Sequence, residues 1–259
     1  MRIWSDRRLL AHFVRREITT RYKGTFTGVV WVFLTPLALL AIYSYVFVVI
    51  FQARVPEAEM AGFVPYLALG FWPWMAFAES VSRGVSVISE NESLIRKSPI
   101  PHELLVYSSV ISNFGLQIIG YAAVLLVLAV LGTPLSWALI PLILPFLLMA
   151  FLFTMSVTLV VATLQVFIKD VSHAMGAILT LWFFSTPVLY SPTLIPEAVR
   201  GYLMLNPMAF YITRIRDVLL QGFWLPQWAD AIALLLTVLG FIFSLWMFRR
   251  CSQRFEEFL

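Results

Sequence analysis

The sequence predicts an all-α integral membrane protein, and two observations support this prediction. Hydrophobic residues make up 61% of the chain and charged residues 12%, against roughly 45–50% and about 25% in a soluble domain. In addition, six apolar runs are each long enough for a membrane-spanning helix, which needs about 20 residues. These runs cover residues 29–51, 63–88, 104–131, 138–165, 174–190 and 229–248 of the 259-residue chain.

The positions of lysine and arginine predict the orientation of these spans. With six spans both termini lie on one side of the membrane, and fourteen of the 18 lysine and arginine residues fall on that side. Cytoplasmic segments of membrane proteins carry this excess of positive charge, so we expect both termini in the cytoplasm. The net charge of +4 is then a signal of topology, and we expect membrane lipid, not nucleic acid, to meet the basic residues. The other side holds Arg54, Arg200, Arg214 and Arg216.

We expect one membrane domain and no separate soluble domain. Residues 1–28 form a surface helix and its connection, residues 29–248 hold the six spans, and residues 249–259 form a tail. The first apolar run is too long for the core of a signal peptide, so we interpret it as a retained span. Cys251 is the single cysteine, so the sequence predicts no disulfide and no cysteine metal site.

The N-terminal segment is predicted to be an amphipathic helix along the membrane surface. Apolar residues recur at helical spacing at Leu9, Leu10, Phe13, Val14 and Ile18. The other face carries Arg7, Arg8, His12, Arg15, Arg16 and Thr19. Two interpretations are open, an anchor alone or an anchor that also contacts a partner. Arg21, Tyr22 and Lys23 follow, and the glycines at 24 and 28 allow the chain to turn into the first span.

A charged segment interrupts the apolar sequence between the second and third runs. Ser89 and Glu92 match the Ser-x-x-Glu capping box that begins a helix. Glu90 and Glu92 complement the positive end of that helix, and Arg96 and Lys97 complement its negative end. Two prolines then end it after about two turns. The sequence therefore predicts a short, well-capped cytoplasmic helix.

The two apolar residues of this short helix, Leu94 and Ile95, are candidates for insertion into a partner protein. The alternative is a polar loop between spans. We favour docking because both helix ends are well specified.

The sequence contains no phosphate-binding loop. Lys23, Lys97 and Lys169 follow Tyr, Arg and Ile, so the Gly-Lys-Ser/Thr end of such a loop is absent. Glu79 is the one acid well inside a span, four residues before Arg83, and it forms either a structural ion pair or a proton or ion site. The three histidines fall at cytoplasmic edges, so we predict no metal site.

A long segment between spans five and six predicts a helical hairpin on the outer side. Pro196 begins a first short helix that ends near Asn206, since proline is tolerated at the first helical position. Pro207 breaks the chain, and a second helix with Arg214 on its polar face ends at Gly222. We expect the hairpin to re-enter the outer half of the membrane, where protein or a cavity must shield its backbone from lipid.

Aromatic residues make up 15% of the chain and cluster in spans one, two and five. Single rings of this kind commonly form membrane-interface belts or pack between helices. The alternative is that they line a passage, and the candidates are Tyr43, Tyr45, Trp72, Trp74, Trp182, Phe183, Phe184 and Tyr190.

Together these motifs resemble the transmembrane subunit of type 2 ABC exporters, in particular the permeases that export O-antigen, capsule and teichoic acid polysaccharides. The resemblance runs over nearly the whole chain. It rests on the basic helix leading into RYKG, NESLIRK with Pro101, FIKDV at 167–171, TPVLYS at 186–191, and Asn206 with Pro207. Ile100 stands where Phe is expected, and Lys169-Asp170 where Arg-Asp is usual. Both differences keep the chemical character and concern the subfamily more than the family.

The resemblance implies a homodimeric pore in a bacterial inner membrane with two copies of a separate cytoplasmic ATPase. That partner would bind ATP and Mg²⁺, and this chain would bind no cofactor. The coupling helix would contain Ser89, Glu90, Glu92, Leu94, Ile95, Arg96 and Lys97, with Lys169 and Asp170 as a second contact. The surface helix and its connection, with Arg15, Arg16, Arg21, Tyr22 and Lys23, would line the groove that receives the ATPase.

The implied substrate is an undecaprenyl-linked polysaccharide, foremost O-antigen, moving past aromatic faces that stack on sugar rings. Other functions stay open on the sequence alone. One is a type 2 exporter for a drug or a lipid. A membrane-embedded polyprenyl-phosphate transferase would need clustered acids or basic diphosphate-binding residues, of which we find no convincing cluster. A channel without ATP would leave the capped helix without a purpose.

Overall fold

The computed structural model describes residues 7–22, 28–52, 61–97, 100–203, 205–223 and 225–259. Lys23, Arg54 and Pro99, which entered the sequence predictions, lie outside these ranges. Within them the chain is helical and contains no strand. The prediction of an all-α protein is therefore confirmed for the described part of the chain.

The helices follow one another in the order that the apolar runs predict. The first half contains α1 (Arg7–Tyr22), α2 (Gly28–Ser44, continued by a π-helical turn, Tyr45–Ile50), α3 (Phe63–Gly84), α4 (Val87–Glu90), α5 (Glu92–Lys97) and α6 (Glu103–Val130). The second half contains a 3-10 helix (Trp137–Ile143), α7 (Leu144–Phe167), α8 (Val171–Phe184), α9 (Glu197–Leu203), α10 (Pro207–Leu220), α11 (Trp228–Ser252) and α12 (Phe255–Phe258).

Four helical stretches in the described part of the chain are long and apolar enough to cross a membrane. They are Phe33–Ile50, Glu103–Val130, Trp137–Phe167 and Trp228–Ser252. The second and fifth predicted spans correspond to α3, which lies almost wholly inside the protein, and to α8, an apolar helix of 14 residues. The fifth was expected to continue to residue 190, but α8 ends earlier because Pro187 cannot extend a helix.

Two groups of buried side chains hold the helices together. The terminal cluster joins helices from both ends of the chain, through Phe13, Ile88, Ile95, Leu105, Phe248 and Phe255. The central cluster surrounds α3 and includes Tyr66, Phe71, Trp72, Phe77, Tyr211 and Ile212. The α3 helix packs against α6, α7 and α10, which explains why most of its residues are buried.

Polar side chains inside the long helices bond mainly to their own backbone. Thr154, Thr158 and Thr163 of α7 each donate to the carbonyl four residues earlier, at 2.6, 2.7 and 2.8 Å. Such bonds satisfy hydroxyl groups where lipid offers no partner. Glu79 of α3 accepts from Gln117 of α6 at 2.8 Å, so one polar contact joins two of these helices.

Candidate functional site: coupling surface and hairpin cavity

Asn91 connects α1, α4 and α5 in the region that the sequence assigned to a partner-binding surface. Its side-chain nitrogen donates to the carbonyl of Val87 in α4 at 2.8 Å, and its side-chain oxygen accepts from Arg16 Nη2 of α1 at 2.6 Å. Its own carbonyl accepts from the N–H groups of Leu94 and Ile95 in α5, at 3.0 and 3.1 Å. The surface helix α1 is thereby tied to the start of the short helix α5.

The predicted capping box of Ser89 and Glu92 is wrong. Ser89 lies inside α4, and the carboxylate of Glu92 pairs with Arg96 at 2.9 Å within α5. The new helix starts two residues later than expected, at Glu92, because Asn91 makes the turn between α4 and α5. Asparagine favours turns because its side chain bonds to nearby backbone, as Asn91 does with Val87, so Asn91 was the signal that the sequence interpretation overlooked.

The apolar residues of α5 face inward, contrary to the expectation that they project toward a partner. Ile95 is 2% exposed and belongs to the terminal cluster, and Leu94 is half-buried against the same cluster. A helix of two turns has only one apolar face, and here that face covers the protein's own core. The exposed residues of this segment are Glu90, Ser93, Arg96 and Lys97.

The side chain of Gln165 stabilises the turn that contains Lys169 and Asp170. The side chain of Gln165 donates to the carbonyl of Lys169 at 3.1 Å and accepts from the N–H of Ser172 at 2.7 Å. Both charged side chains of the turn are exposed. The turn between α7 and α8 therefore exposes one positive and one negative group, and its backbone is stabilised by the two hydrogen bonds of Gln165.

The short helix α12 packs against this same end of the protein, which the sequence analysis missed. The ring of Phe255 lies 6.0 Å from that of His102, 6.0 Å from that of Phe167 and 5.4 Å from that of Phe248, measured between centroids. Phe258 adds a second contact with Phe167, at 4.9 Å. The repeated aromatic residues of RFEEF were the available signal.

His102 is the titratable group at this aromatic contact. Burial lowers the pKa of its imidazole, and the carboxylates of Glu103 and Glu256 oppose that effect. Arg249 of α11 pairs with Glu103 at 3.0 Å, which partly neutralises one of these acids. Within the described residues, no three His, Cys, Asp or Glu side chains come together in a way suited to a metal ion.

A cavity of about 780 Å³ lies between the end of α8 and the segment containing α9 and the start of α10, for which the sequence predicts a hairpin. We call it the hairpin cavity. Its wall contains aromatic, aliphatic and polar side chains, and the members that bear on its chemistry are Trp182, Phe184, Ser185, Tyr190 and Asn206. The mixture of ring faces and hydrogen-bonding groups suits a ligand with both apolar faces and hydroxyl groups, such as a sugar.

Asn206 connects two sides of the hairpin cavity through hydrogen bonds. Its side-chain oxygen accepts from the indole nitrogen of Trp182 at 3.0 Å and from the N–H of Met208 at 3.1 Å, which caps α10. Its side-chain nitrogen donates to Thr186 Oγ1 at 2.8 Å. The predicted break at Asn206 and Pro207 is confirmed, with α10 beginning at Pro207 and a left-handed Gly222 just beyond its end.

The candidates for a passage lining divide into two groups. Trp72, Trp74 and Phe183 are 1%, 3% and 9% exposed and pack in the central cluster, so in the single chain their rings contact other side chains of the protein. Their helices are surrounded on several sides, and helical spacing alone does not tell an enclosed helix from one beside a passage. Tyr45 and Phe184 are exposed, while Tyr43, Trp182 and Tyr190 are half-buried.

Arg214 connects α10 to α11 instead of facing a solvent surface. Its guanidinium makes two hydrogen bonds of 2.8 Å to the carboxylate of Asp230 and one of 3.1 Å to the carbonyl of Leu225. Asp217 lies 3.4 Å from the same guanidinium. The predicted polar face of α10 is therefore buried, and its charge is balanced by carboxylates.

Arg216 is a second buried arginine in α10, and the sequence analysis did not single it out. Its guanidinium carbon lies 3.6 Å from the centroid of the Tyr66 ring. The same group donates to the carbonyls of Tyr66 at 3.0 Å and of Val188 at 2.8 Å, and also to that of Pro187. It thus joins the hairpin to α3 and to the break after α8.

Comparison with known proteins matches residues 8–220 to the sequence model of the ABC-2 type transporter family. The chain belongs to this family. The family match and the long apolar helices together make it a multi-pass membrane protein and a transport component. The match begins in α1 and ends at the last residue of α10, so it includes both the Asn91 contacts and the hairpin cavity.

Three relatives show how far the similarity extends. An O-antigen export system permease protein of Myxococcus xanthus is 31% identical over 220 residues, which are 83% of this chain and 82% of the relative. One of Klebsiella pneumoniae is 29% identical over 258 residues, 97% of this chain and 95% of the relative. A capsule polysaccharide export inner-membrane protein of Neisseria meningitidis serogroup B is 24% identical over 212 residues, 78% and 76% of the two chains.

Proposed function

We propose that this chain is the permease subunit of an ATP-driven exporter that moves undecaprenyl-linked polysaccharide, foremost O-antigen, across the bacterial inner membrane. The observation that carries the proposal is the similarity to O-antigen export permeases over as much as 97% of the chain. We further propose that both termini are cytoplasmic, which the distribution of lysine and arginine supports.

The proposed assembly is a homodimer with two copies of a separate ATPase that binds ATP and Mg²⁺. The ATPase would contact the exposed charged face of α5 and the turn of Lys169 and Asp170. Packing supports this assignment, because the terminal cluster joins α1, α5 and α12 to the ends of α6, α7 and α11. A displacement of α5 would be transmitted to those long helices, since packed side chains move together.

The hairpin cavity is the proposed contact of the polymer with this protein. Phe184 is 59% exposed, and Trp182 and Tyr190 line the same cavity. Ring faces stack on sugars without selecting one of them, while the exposed Ser185 hydroxyl, which donates to the carbonyl of Trp182 at 2.9 Å, can still accept a hydrogen bond. This combination suits a long polymer that must be held weakly and released at each step.

The six-span topology and the re-entrant hairpin belong to the same proposal. Two features support a hairpin that lies at membrane depth. Arg214 and Arg216 are each 4% exposed, and their charges are met by carboxylates and carbonyls inside the protein. Charged groups at such depth are found where protein shields them from lipid.

Deletion of the gene in its host tests the proposal. We expect lipid-linked polymer to accumulate on the inner face of the inner membrane, and surface polymer to return when the wild-type chain is supplied. Purified chain alone should hydrolyse no ATP above a preparation of an unrelated membrane protein. Normal surface polymer in the deletion strain, or loss of the lipid-linked precursor itself, would contradict export and favour another substrate or a transferase.

A further inference from the structure

A groove of about 470 Å³ runs along one side of α1, on the opposite side from Asn91. We call it the α1 groove. Its apolar part consists of Leu10, Val14 and Ile18 of α1 together with Ile111 of α6. Arg7 and Arg15 stand beside this apolar part, and none of the described residues that line it is acidic.

The basic residues of α1 are divided between two sides of the helix. Arg16 turns toward α5, where it donates to Asn91 and lies 5.2 Å from the centroid of the Phe13 ring. Arg15 is one residue further back, about 100° around the helix, and it is exposed beside the groove. The two neighbouring arginines therefore lie on different sides of α1, Arg16 at Asn91 and Arg15 beside the α1 groove.

The chemistry of the α1 groove matches a phospholipid with an anionic headgroup. An amphipathic helix at a membrane surface presents its apolar residues to acyl chains and its arginines to headgroup phosphates. Each Lys or Arg near an anionic membrane surface contributes about 1 kcal/mol of attraction. Two arginines beside four aliphatic side chains offer both parts of such a site in one place.

We infer that the α1 groove binds one anionic phospholipid of the leaflet that α1 contacts. The headgroup phosphate lies at Arg7 and Arg15, and an acyl chain follows Leu10, Val14 and Ile18. The lipid fills the space between α1 and α6 and so holds α1 in the position from which Arg16 reaches Asn91. Only the assignment to the inner leaflet rests on the proposed function, through the cytoplasmic termini.

Binding is measured on the purified full-length chain in neutral detergent, with phosphatidylglycerol and phosphatidylcholine of the same acyl chains as probes. Native mass spectrometry gives the affinity of the first bound lipid, and a photoactivatable phosphatidylglycerol identifies the contacted peptide. We expect phosphatidylglycerol to bind more tightly than phosphatidylcholine and to label residues 7–19. Arg15→Gln should weaken phosphatidylglycerol about fivefold, the equivalent of about 1 kcal/mol, and leave phosphatidylcholine unchanged.

Arg8→Gln is the matched control, because Arg8 is an exposed arginine of the same helix that does not line the groove. Ala11→Trp, which fills the groove from an exposed position, should lower the affinity for both lipids. Equal affinity for the two lipids, or equal weakening by Arg8→Gln and Arg15→Gln, would overturn the site. Loss of dimer or of ATPase binding in Arg15→Gln with unchanged lipid affinity would make the groove a protein interface. These measurements need no export, so they can fail while the proposed function stands.

Discussion

The guanidinium of Arg216 lies against the face of the Tyr66 ring, 3.6 Å from its centroid, and donates to the carbonyl of the same residue at 3.0 Å. Arginine combines a planar face with several donors, so one side chain both stacks and bonds. The remaining donors reach the carbonyls of Pro187 and Val188, which follow α8 and belong to no helix. The guanidinium of Arg216 in α10 therefore supplies hydrogen bonds to two backbone carbonyls just after the end of α8.

Replacement of Arg216 should destabilise the hairpin more than the rest of the protein. Arg216→Lys keeps the charge but cannot supply the fork of donors, and Arg216→Met leaves the carbonyls of Pro187 and Val188 without their donor. Hydrogen bonds to charged groups contribute about 1.5–3 kcal/mol each, so we expect a lower melting temperature in detergent and the larger decrease for Met. Equal melting temperatures for wild type and both variants would contradict this role.

Gly70 provides an independent test of the same contact. A Cβ atom at this position of α3 would lie 2.3 Å from Arg216 Nη2, so Gly70→Ala must displace the guanidinium. We expect this variant to lower the melting temperature as Arg216→Lys does. Gly176→Ala is the control, since nothing lies within 4 Å of a Cβ atom added there.

Local signals in the sequence predicted where α10 starts and ends. They did not predict the long-range contacts that hold α10 in place. Pro207 and Gly222 act through their own backbone conformations, so the start and end of α10 were placed within one residue or so. The acceptors of Arg216 are distant in the chain, and no local pattern indicates them. Ile95 illustrates the same limit, because helical spacing identifies an apolar face but does not reveal whether that face meets a partner or the protein's own core.

The contact between Arg16 and Asn91 predicts a coupling between α1 and α5 that a double-mutant cycle can measure. Arg16→Gln and Asn91→Ala should each reduce export, because each removes the same 2.6 Å hydrogen bond. The double variant should be little worse than either single variant. Export is measured as surface polymer in a deletion strain. Arg8→Gln combined with Asn91→Ala is the control and should show additive effects, since Arg8 makes no part of this contact.

Charge reversal on α5 tests the proposed ATPase contact without disturbing the core. Arg96→Glu with Lys97→Glu changes two exposed side chains, so the free energy of unfolding should change by about 1 kcal/mol or less. Co-purification with the ATPase should nevertheless fall sharply. Arg250→Glu with Arg254→Glu makes the same change in charge at two exposed residues outside α1 and α5 and should leave the partner bound. If both pairs bind the ATPase normally, α5 is not the contact.

Ile95→Asp should behave in the opposite way. Ile95 is 2% exposed, and an unpaired carboxylate in an apolar cluster costs several kcal/mol. We therefore expect poor yield and a lower melting temperature of the purified chain even when no ATPase is present, with Ile95→Val close to wild type. A stable Ile95→Asp protein that fails only to bind the ATPase would restore the original expectation of an outward-facing residue.

The contact of His102 with Phe255 predicts that docking of α12 depends on pH. Burial lowers the pKa of His102, so the docked form binds fewer protons than the undocked form. Docking is then favoured above the ordinary pKa of about 6.5 and weakens as the pH falls through that value. Hydrogen exchange of residues 249–259 should be faster at pH 5.5 than at pH 7.5, after correction for the intrinsic rate. His102→Phe keeps a ring but does not titrate, so it should remove the difference.

Phe183 and Phe184 are adjacent rings in opposite environments, which makes them a matched pair for the proposed polymer contact. Phe183 is 9% exposed and Phe184 is 59% exposed. Phe183→Ala should reduce stability by about 3–5 kcal/mol, the usual cost of removing a buried phenylalanine ring. Phe184→Ala should leave the melting temperature unchanged and slow the appearance of surface polymer in a pulse experiment, more so when combined with Trp182→Ala. Normal export by a well-folded Phe184→Ala, Trp182→Ala protein would show that the polymer does not use the hairpin cavity.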